Sequence, residues 1–248
     1  MQEIKVALLG DSITEGLGSK KINYAKPLLE NLNSAKKNYI IENFGASGTT
    51  IQYYFEVREK IEAFKPDIIL IFYGNVEAIH RPMMHEKSLV YKLMPKRYKK
   101  NFSMIDPRPF YSHKCIKRFF QKIDSAYRFI LKRYFIKKYG TYQILDIESF
   151  KRDYKKVLSE LVSRNYRTIC VSNVRIDDYY FPKSSKALAA YRDVIKNVAE
   201  EFDCQYIDLY NWQVGFSWGE IYGEDHFHPN ERGYNLIGKF FAKNIEKD

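Results

Sequence analysis

The sequence predicts an α/β fold, a parallel sheet covered by helices on both faces, with one helical insertion. Three observations carry this expectation. Short apolar runs ending in glycine recur along the chain, amphipathic helical stretches separate them, and one segment at about 78–141 breaks the alternation.

Residues 4–9 are apolar apart from Lys5 and end at Gly10, the pattern of a strand buried on both faces. Residues 39–44, ending at Gly45, form a second candidate strand. The strongest strand signal is 68–73, which follows Pro66-Asp67 and ends at Gly74. Residues 167–173 give a fourth strand and 205–209 a short fifth. Helical patterns occupy about 54–64, 148–164, 184–202 and 230–246. In such sheets ligands lie beyond the carboxyl ends of the strands, where Gly10, Gly45 and Gly74 fall.

The first half of the insertion, with Pro82, Pro95, Pro107 and Pro109, reads as irregular. Its second half reads as a helix opened by Ser112 and closed by Gly140. Ile116, Phe120, Ile123, Tyr127, Ile130 and Tyr134 repeat at spacings of four and three, giving one apolar stripe. Lys117, Arg118, Lys122, Arg128, Lys132 and Arg133 fall largely off it. The simplest expectation is a cap whose stripe packs on the α/β body with its bases in water. The alternative adds that the basic, aromatic face binds something anionic.

The charge supports a special role for this segment. The chain carries +11, yet residues 80–140 hold 17 Lys and Arg against 3 Asp and Glu, leaving 24 basic and 27 acidic residues elsewhere. The same residues hold 12 of the 40 aromatics. An acidic polysaccharide, a nucleotide- or lipid-linked glycan, or a phospholipid surface touched by the 112–139 helix fits that mixture. Nucleic acid ranks last, because no nucleic-acid-binding motif accompanies the charge. Cys115, Cys170 and Cys204 are odd in number and widely spaced, which points to plain thiols. No apolar run reaches the roughly 18 residues of a membrane span. The opening residues enter a strand without a charged and apolar leader, which predicts a cytoplasmic location. With 248 residues and 45% hydrophobic content, one domain carrying an insertion is expected.

Gly10-Asp11-Ser12 follows the first strand directly. A serine there projects into the cleft at the sheet edge, although the same residues also suit a helix cap. At the other end of the chain, Asp225-His226-Phe227-His228-Pro229-Asn230 places a carboxylate three residues before a histidine. A serine hydroxyl needs an imidazole to take its proton, and the imidazole needs a carboxylate to orient it. His226 is the competing imidazole. His80, His85 and His113 have no carboxylates at metal-ligand spacing and read as surface or packing residues.

Gly10-Asp11-Ser12-Ile13-Thr14-Glu15-Gly16, Asn43-Phe44-Gly45-Ala46-Ser47-Gly48 and Asp225-x-x-His228-Pro229-Asn230 resemble three of the four signature blocks of the SGNH/GDSL hydrolases. The resemblance covers roughly residues 3–77 and 165–246. It implies a flavodoxin-like three-layer α/β/α fold and serine esterase chemistry on acyl groups, with no metal or organic cofactor. By position it makes Ser12 the nucleophile, His228 the base and Asp225 its partner. The N–H groups of Ser12 and Gly45 would then line the oxyanion hole.

The fourth block departs from the pattern. Gly74-Asn75-Val76-Glu77 stands where the family usually has Gly-x-Asn-Asp, so Val76 occupies the position of an oxyanion-stabilising amide. Asn75, one residue early, is a candidate replacement, and Asp11, Glu77 and Arg81 are candidate substrate-binding residues. The divergent block is similar to a branch found among surface-polysaccharide biosynthesis proteins, which implies an O-acylated carbohydrate substrate. Two alternatives remain: an acyltransferase using the same acyl-Ser12 intermediate, and a catalytically weak glycan- or lipid-binding protein.

Overall fold

The computed structural model describes residues 2–19, 22–33, 37–99 and 105–246. Five parallel strands form the main sheet: β1 (Gln2–Gly10), β2 (Lys37–Asn43), β3 (Ile68–Phe72), β6 (Arg167–Val171) and β7 (Gln205–Ile207). A two-stranded antiparallel ribbon, β4 (Arg81–Pro82) with β5 (Thr141–Tyr142), joins the ends of the insertion. The helices in chain order are α1 (Ser12–Glu15), α2 (Ala25–Leu32), α3 (Tyr54–Phe64), α4 (Asn75–Ala78), α5 (Leu89–Leu93) and α6 (Lys96–Lys99). They continue with α7 (Cys115–Tyr139), α8 (Ile147–Ser163), α9 (Ser184–Glu201), α10 (Leu209–Gln213), α11 (Trp218–Ile221) and α12 (Glu231–Ile245).

The sheet order is β2-β1-β3-β6-β7. The chain therefore leaves β1 for one edge and returns through β3 to build the other, which opens a crevice at the carboxyl ends of β1 and β3. Every residue of β3 is buried, and so are Val6 to Leu9 of β1. These strands are apolar without alternation because helices cover both faces. α2 packs against α12 and α8 against α9, so the fold is the three-layer α/β/α arrangement. Gly238 of α12 permits the first of these contacts: a Cβ there would lie 2.7 Å from the Tyr24 carbonyl oxygen and 2.8 Å from the Leu28 nitrogen.

The eight-residue helix α2 is absent from the sequence reading. It starts at Tyr24 without a side-chain cap, carries Pro27 in its first turn, and is held by burial of Leu28 and Leu32. The expected insertion helix exists as α7, but it starts at Cys115. Ser112 Oγ accepts from the Lys114 N–H at 3.3 Å, ahead of the helix. Part of the expected irregular half, residues 100–104, lies outside the described residues.

The orientation of α7 reverses the expectation of an inward apolar stripe. Ile116, Phe119, Phe120, Ile123, Tyr127 and Ile130 are all exposed. The buried positions are Asp124, Leu131, Lys132 and Phe135. The physical reason is ion pairing. Asp124 accepts from Arg97, Arg108 and Arg128, while Lys132 donates to Asp106 at 2.7 Å, so the buried charges on the inner face are paired locally. Leu131 and Phe135 join Met94, Tyr98 and Ile105 in a small second core. The cap leans on the body through polar and ring contacts: Arg133 Nη2 to the Tyr179 carbonyl at 3.2 Å, Phe129 against Tyr179, and Lys132 Nζ 4.0 Å from the Phe181 ring centre.

Candidate active site

Ser12 is the first residue of α1, immediately beyond β1. Asp11 caps this helix, accepting from the Ile13 N–H at 2.9 Å, and α1 ends at Gly16 in the left-handed region. A network behind Ser12 joins three strand ends. Asp11 Oδ2 accepts from the Asn75 side-chain amide at 3.0 Å, and Asn75 Oδ1 accepts from the Val174 N–H at 2.9 Å. The loop after β2 is clamped on α1 as well: Asn43 donates to the Thr14 carbonyl at 2.7 Å, and Glu15 accepts from the Ser47 N–H at 2.8 Å.

The far end of the chain supplies the second half. Asp225 Oδ1 accepts from the N–H groups of Phe227 at 3.1 Å and His228 at 3.0 Å, closing a tight turn. That turn brings Asp225 Oδ2 to 2.6 Å from His228 Nδ1, and His228 Nε2 to 2.9 Å from Ser12 Oγ. The carboxylate assigns the ring proton to Nδ1, which leaves Nε2 to accept from the Ser12 hydroxyl. Asn230 holds the turn against α12, accepting from the Gly233 N–H at 2.9 Å while donating to the Tyr222 carbonyl at 2.9 Å. Ser12, His228 and Asp225 open on a cavity of about 400 Å³ that is also lined by Leu17, Gly48, Val76, Arg81, Arg108 and Arg128. Such an array can pass a proton from serine to imidazole while the hydroxyl oxygen attacks a carbonyl.

The GDSL-like Lipase/Acylhydrolase family matches residues 8–236 of this sequence. The chain belongs to that family. It is a hydrolase acting on ester bonds. Its fold is similar to that of the lipase/acylhydrolase from Enterococcus faecalis, with 16% identity, a TM-score of 0.63, and 98% of this chain and 95% of that one covered. It is also similar to Axe2, an acetylxylan esterase from Geobacillus stearothermophilus, at 15% identity and a TM-score of 0.60, covering 99% of this chain and 95% of that one. The acetyl xylan esterase AlAXEase gives 17% identity and a TM-score of 0.57, with 98% of each chain covered. No curated protein matches the chain by sequence.

Several site residues expected from the sequence of this acylhydrolase lie elsewhere. The Gly45 N–H already donates to Asn43 Oδ1 at 2.8 Å, and Gly45 is not part of the cavity wall. Gly48, three residues on, lines the cavity, and among the described residues neither its N–H nor that of Ser12 makes a hydrogen bond. Its φ of +78° is in the left-handed region that favours glycine, so the turn presenting this N–H depends on the residue type. The quoted block holds both glycines, and spacing alone does not choose between them.

Asn75 is fully buried, and its amide is used by Asp11 and Val174 instead of facing the cavity. Val76 takes the place in the wall. Asp11 and Glu77, expected to bind substrate, are likewise fully buried. Glu77 accepts from the N–H groups of Ile51 at 2.8 Å and Gly74 at 3.0 Å, and does not brace Arg81. Burial pushes the Asp11 carboxyl up to about 6 and that of Glu77 up to about 7, against the hydrogen bonds that each accepts. His226 turns away from Ser12. Its Nδ1 lies 2.8 Å from Asp177, and its ring stacks on Trp218.

Arg81 does reach the cavity, and sequence reasoning missed its neighbours Asp106, Arg108, Arg128 and Phe181. No local motif marks them: Asp106, Arg108 and Arg128 come over Ser12 only through the β4–β5 neck and the long α7, and Phe181 comes from the body between β6 and α9. Among the described residues, no three His, Cys, Asp or Glu side chains are grouped to hold a metal ion, and no helix is long and apolar enough to cross a membrane.

Proposed function

We propose that this acylhydrolase removes a small acyl group from an O-acylated carbohydrate through an acyl-Ser12 intermediate. The observation that carries the proposal is the continuous hydrogen-bonded run from Asp225 through His228 to Ser12, at 2.6 and 2.9 Å, opening on one cavity. In this reading His228 takes the hydroxyl proton as Ser12 Oγ attacks the ester carbonyl, and then returns it to the departing sugar hydroxyl. Water, activated by the same imidazole, releases the acid. The N–H groups of Ser12 and Gly48 receive the negative charge on the carbonyl oxygen. The carbohydrate part rests on the acetylxylan esterases of similar fold and on the divergent 74–77 block.

Val76 gives the hole no side-chain donor. Removal of one such donor typically costs about 10²–10³ in kcat, so turnover on simple esters is expected to be modest. The test is labelling by a fluorophosphonate, followed by assays on 4-nitrophenyl acetate and acetylated xylo-oligosaccharides, each with and without free sugar. Ser12-dependent labelling and acetate release are expected. An unlabelled protein without esterase activity would sink the proposal. Acetyl appearing on the added sugar would replace hydrolysis by transfer.

A further inference from the structure

We propose that the cap wall of the cavity is a subsite for an anionic group, a carboxylate or phosphate, on the acylated substrate. This deepens the esterase reading and rests on it. Arg81, Arg108 and Arg128 line the cavity that holds Ser12 and His228, with Arg97 and Lys132 behind them. Among the described residues, two carboxylates answer these five cations. Asp124 accepts from Arg97, from Arg108 at 2.7 Å and from Arg128 at 2.7 Å; Asp106 accepts from Lys132 at 2.7 Å and lies 3.5 Å from Arg81. Asp225, the remaining acid in the wall, is engaged by His228. The cluster is therefore left with an excess of positive charge beside the reacting serine.

Arg81 makes the case specific. Its side chain is only 9% exposed and, among the described residues, its Nε has no hydrogen-bond partner. Its other contacts, to Asp106 at 3.5 Å and to the Val76 carbonyl at 3.4 Å, are long. A guanidinium offers five donors in a planar fork that matches two oxygens of one anion, and a buried one left short of acceptors is costly. Nε itself is sealed from solvent, so an anionic oxygen in the cavity would be met by the Arg81 Nη groups, whose present contacts are the long ones. Arg108 is more exposed and spends Nε and Nη2 on Asp124, so the rest of its guanidinium is open to the same ligand.

The test separates this subsite from the esterase reading. Ser12→Ala protein would be titrated calorimetrically with oligogalacturonate, glucose 6-phosphate and xylo-oligosaccharide, so that no turnover is needed. Wild type, Arg81→Gln, Arg81→Lys and Arg108→Gln would be compared for kcat/KM on acetylated oligogalacturonate and acetylated xylo-oligosaccharide. The expected result is anion binding at least about tenfold tighter than neutral binding, weakening with salt, and a matching kcat/KM preference. Arg81→Gln and Arg108→Gln should remove most of that preference, with Arg81→Lys intermediate. Whether uronate or sugar phosphate binds more tightly identifies the source of the charge. Equal handling of anionic and neutral compounds, with the neutral ester still hydrolysed, overturns the subsite and leaves the esterase standing. Failure of the esterase shows instead as loss of fluorophosphonate labelling.

A second inference comes from the opposite face of α7. We infer that this face seats the protein on an anionic bilayer surface. Ile116, Phe119, Phe120, Ile123 and Ile130 are 52–77% exposed along one stripe, a continuous apolar strip of the kind that marks an interaction surface. Lys117, Lys122, Lys137 and Lys138 are exposed along the same helix, and its one acid, Asp124, is buried on the other side. Apolar rings flanked by long basic side chains suit the headgroup region of an acidic membrane. A symmetric second copy would bring the same positive flanks together.

Vesicle co-sedimentation tests this with phosphatidylcholine alone and with phosphatidylcholine mixed with phosphatidylglycerol. Binding to the mixed vesicles only, reversed by salt and cut about tenfold or more in Phe119→Ser/Phe120→Ser, is expected, because both rings would lose their burial in the bilayer. Wild type and variant behaving alike overturns the inference. Concentration-dependent dimers that the double variant abolishes would assign the face to a second copy instead.

Discussion

In the α/β body, the buried acids Asp11 and Glu77 are met by backbone and amide N–H groups; in the cap, Asp124 is met by three arginines. The two regions respond to pH in opposite directions as a result. Burial raises Asp11 and Glu77 to about 6 and about 7, so the folded body holds protons that the unfolded chain releases. Their contribution to stability is full below about pH 4 and is lost as pH rises towards 7. For Asp124, burial also raises the pKa, but hydrogen bonds from Tyr98 and Arg108 and the charges of Arg128 and Arg108 outweigh it, holding the carboxyl at about 2. Its contribution is present above about pH 4 and is lost as pH falls towards 2. Neutral dipoles hold the body's acids because those positions touch apolar strands. The cap has a small core and uses ion pairs in its place.

The sharpest contrast between the regions is catalytic. Ser12→Ala or His228→Ala should lower hydrolysis of 4-nitrophenyl acetate by about 10⁴ or more, while His226→Ala changes it only a few-fold. Replacing Phe119 and Phe120 on the cap should leave that rate unchanged. Near-wild-type turnover in Ser12→Ala would break the assignment of chemistry to the body.

Asp124→Ala strands Arg128 on the inner face of α7 and Arg108 against it, and loss of one partner from a buried ion cluster costs about 3–5 kcal/mol. Hydrogen exchange should show α7 amides losing protection while β3 keeps its own. Equal losses in both would mean that cap and body unfold as one unit.

Gly48→Ala forces a side chain into φ of +78° and disturbs the proposed oxyanion donor. A fall of about 10² in kcat with little change in KM is expected from steady-state kinetics. Val76→Asn should act in the opposite sense by adding a donor to the cavity wall, and a kcat below that of wild type would count against the two-donor hole.

The mildest effect concerns Glu77. In Glu77→Gln the pH-dependent contribution disappears, so denaturant titrations should show the variant gaining on wild type between about pH 4.5 and 7. The gain is bounded by about 1.4 kcal/mol for each pKa unit. Parallel stability curves for the two proteins would show that Glu77 is not the group responsible.

That the Asp225–His228 pair meets Ser12, 216 residues away, was implied by the family resemblance; the sequence alone determined the α/β class, four of the main strands close to their observed ends, and the turn that joins Asp225 to His228. These follow from local rules. A strand buried on both faces must be apolar throughout, and a carboxylate three residues before an imidazole closes a turn onto it. Tertiary structure decided which N–H groups and cations face the cavity. Asn75 and Gly45 occur in the right blocks, yet their groups are consumed by Asp11, Val174 and Asn43, whereas Gly48 stands clear. The stripe on α7 is equally readable from its spacing, but periodicity states only that a helix has two faces. Which one turns inward was settled by Asp106, Asp124 and their basic partners, because pairing those charges across the cap leaves the apolar side outward.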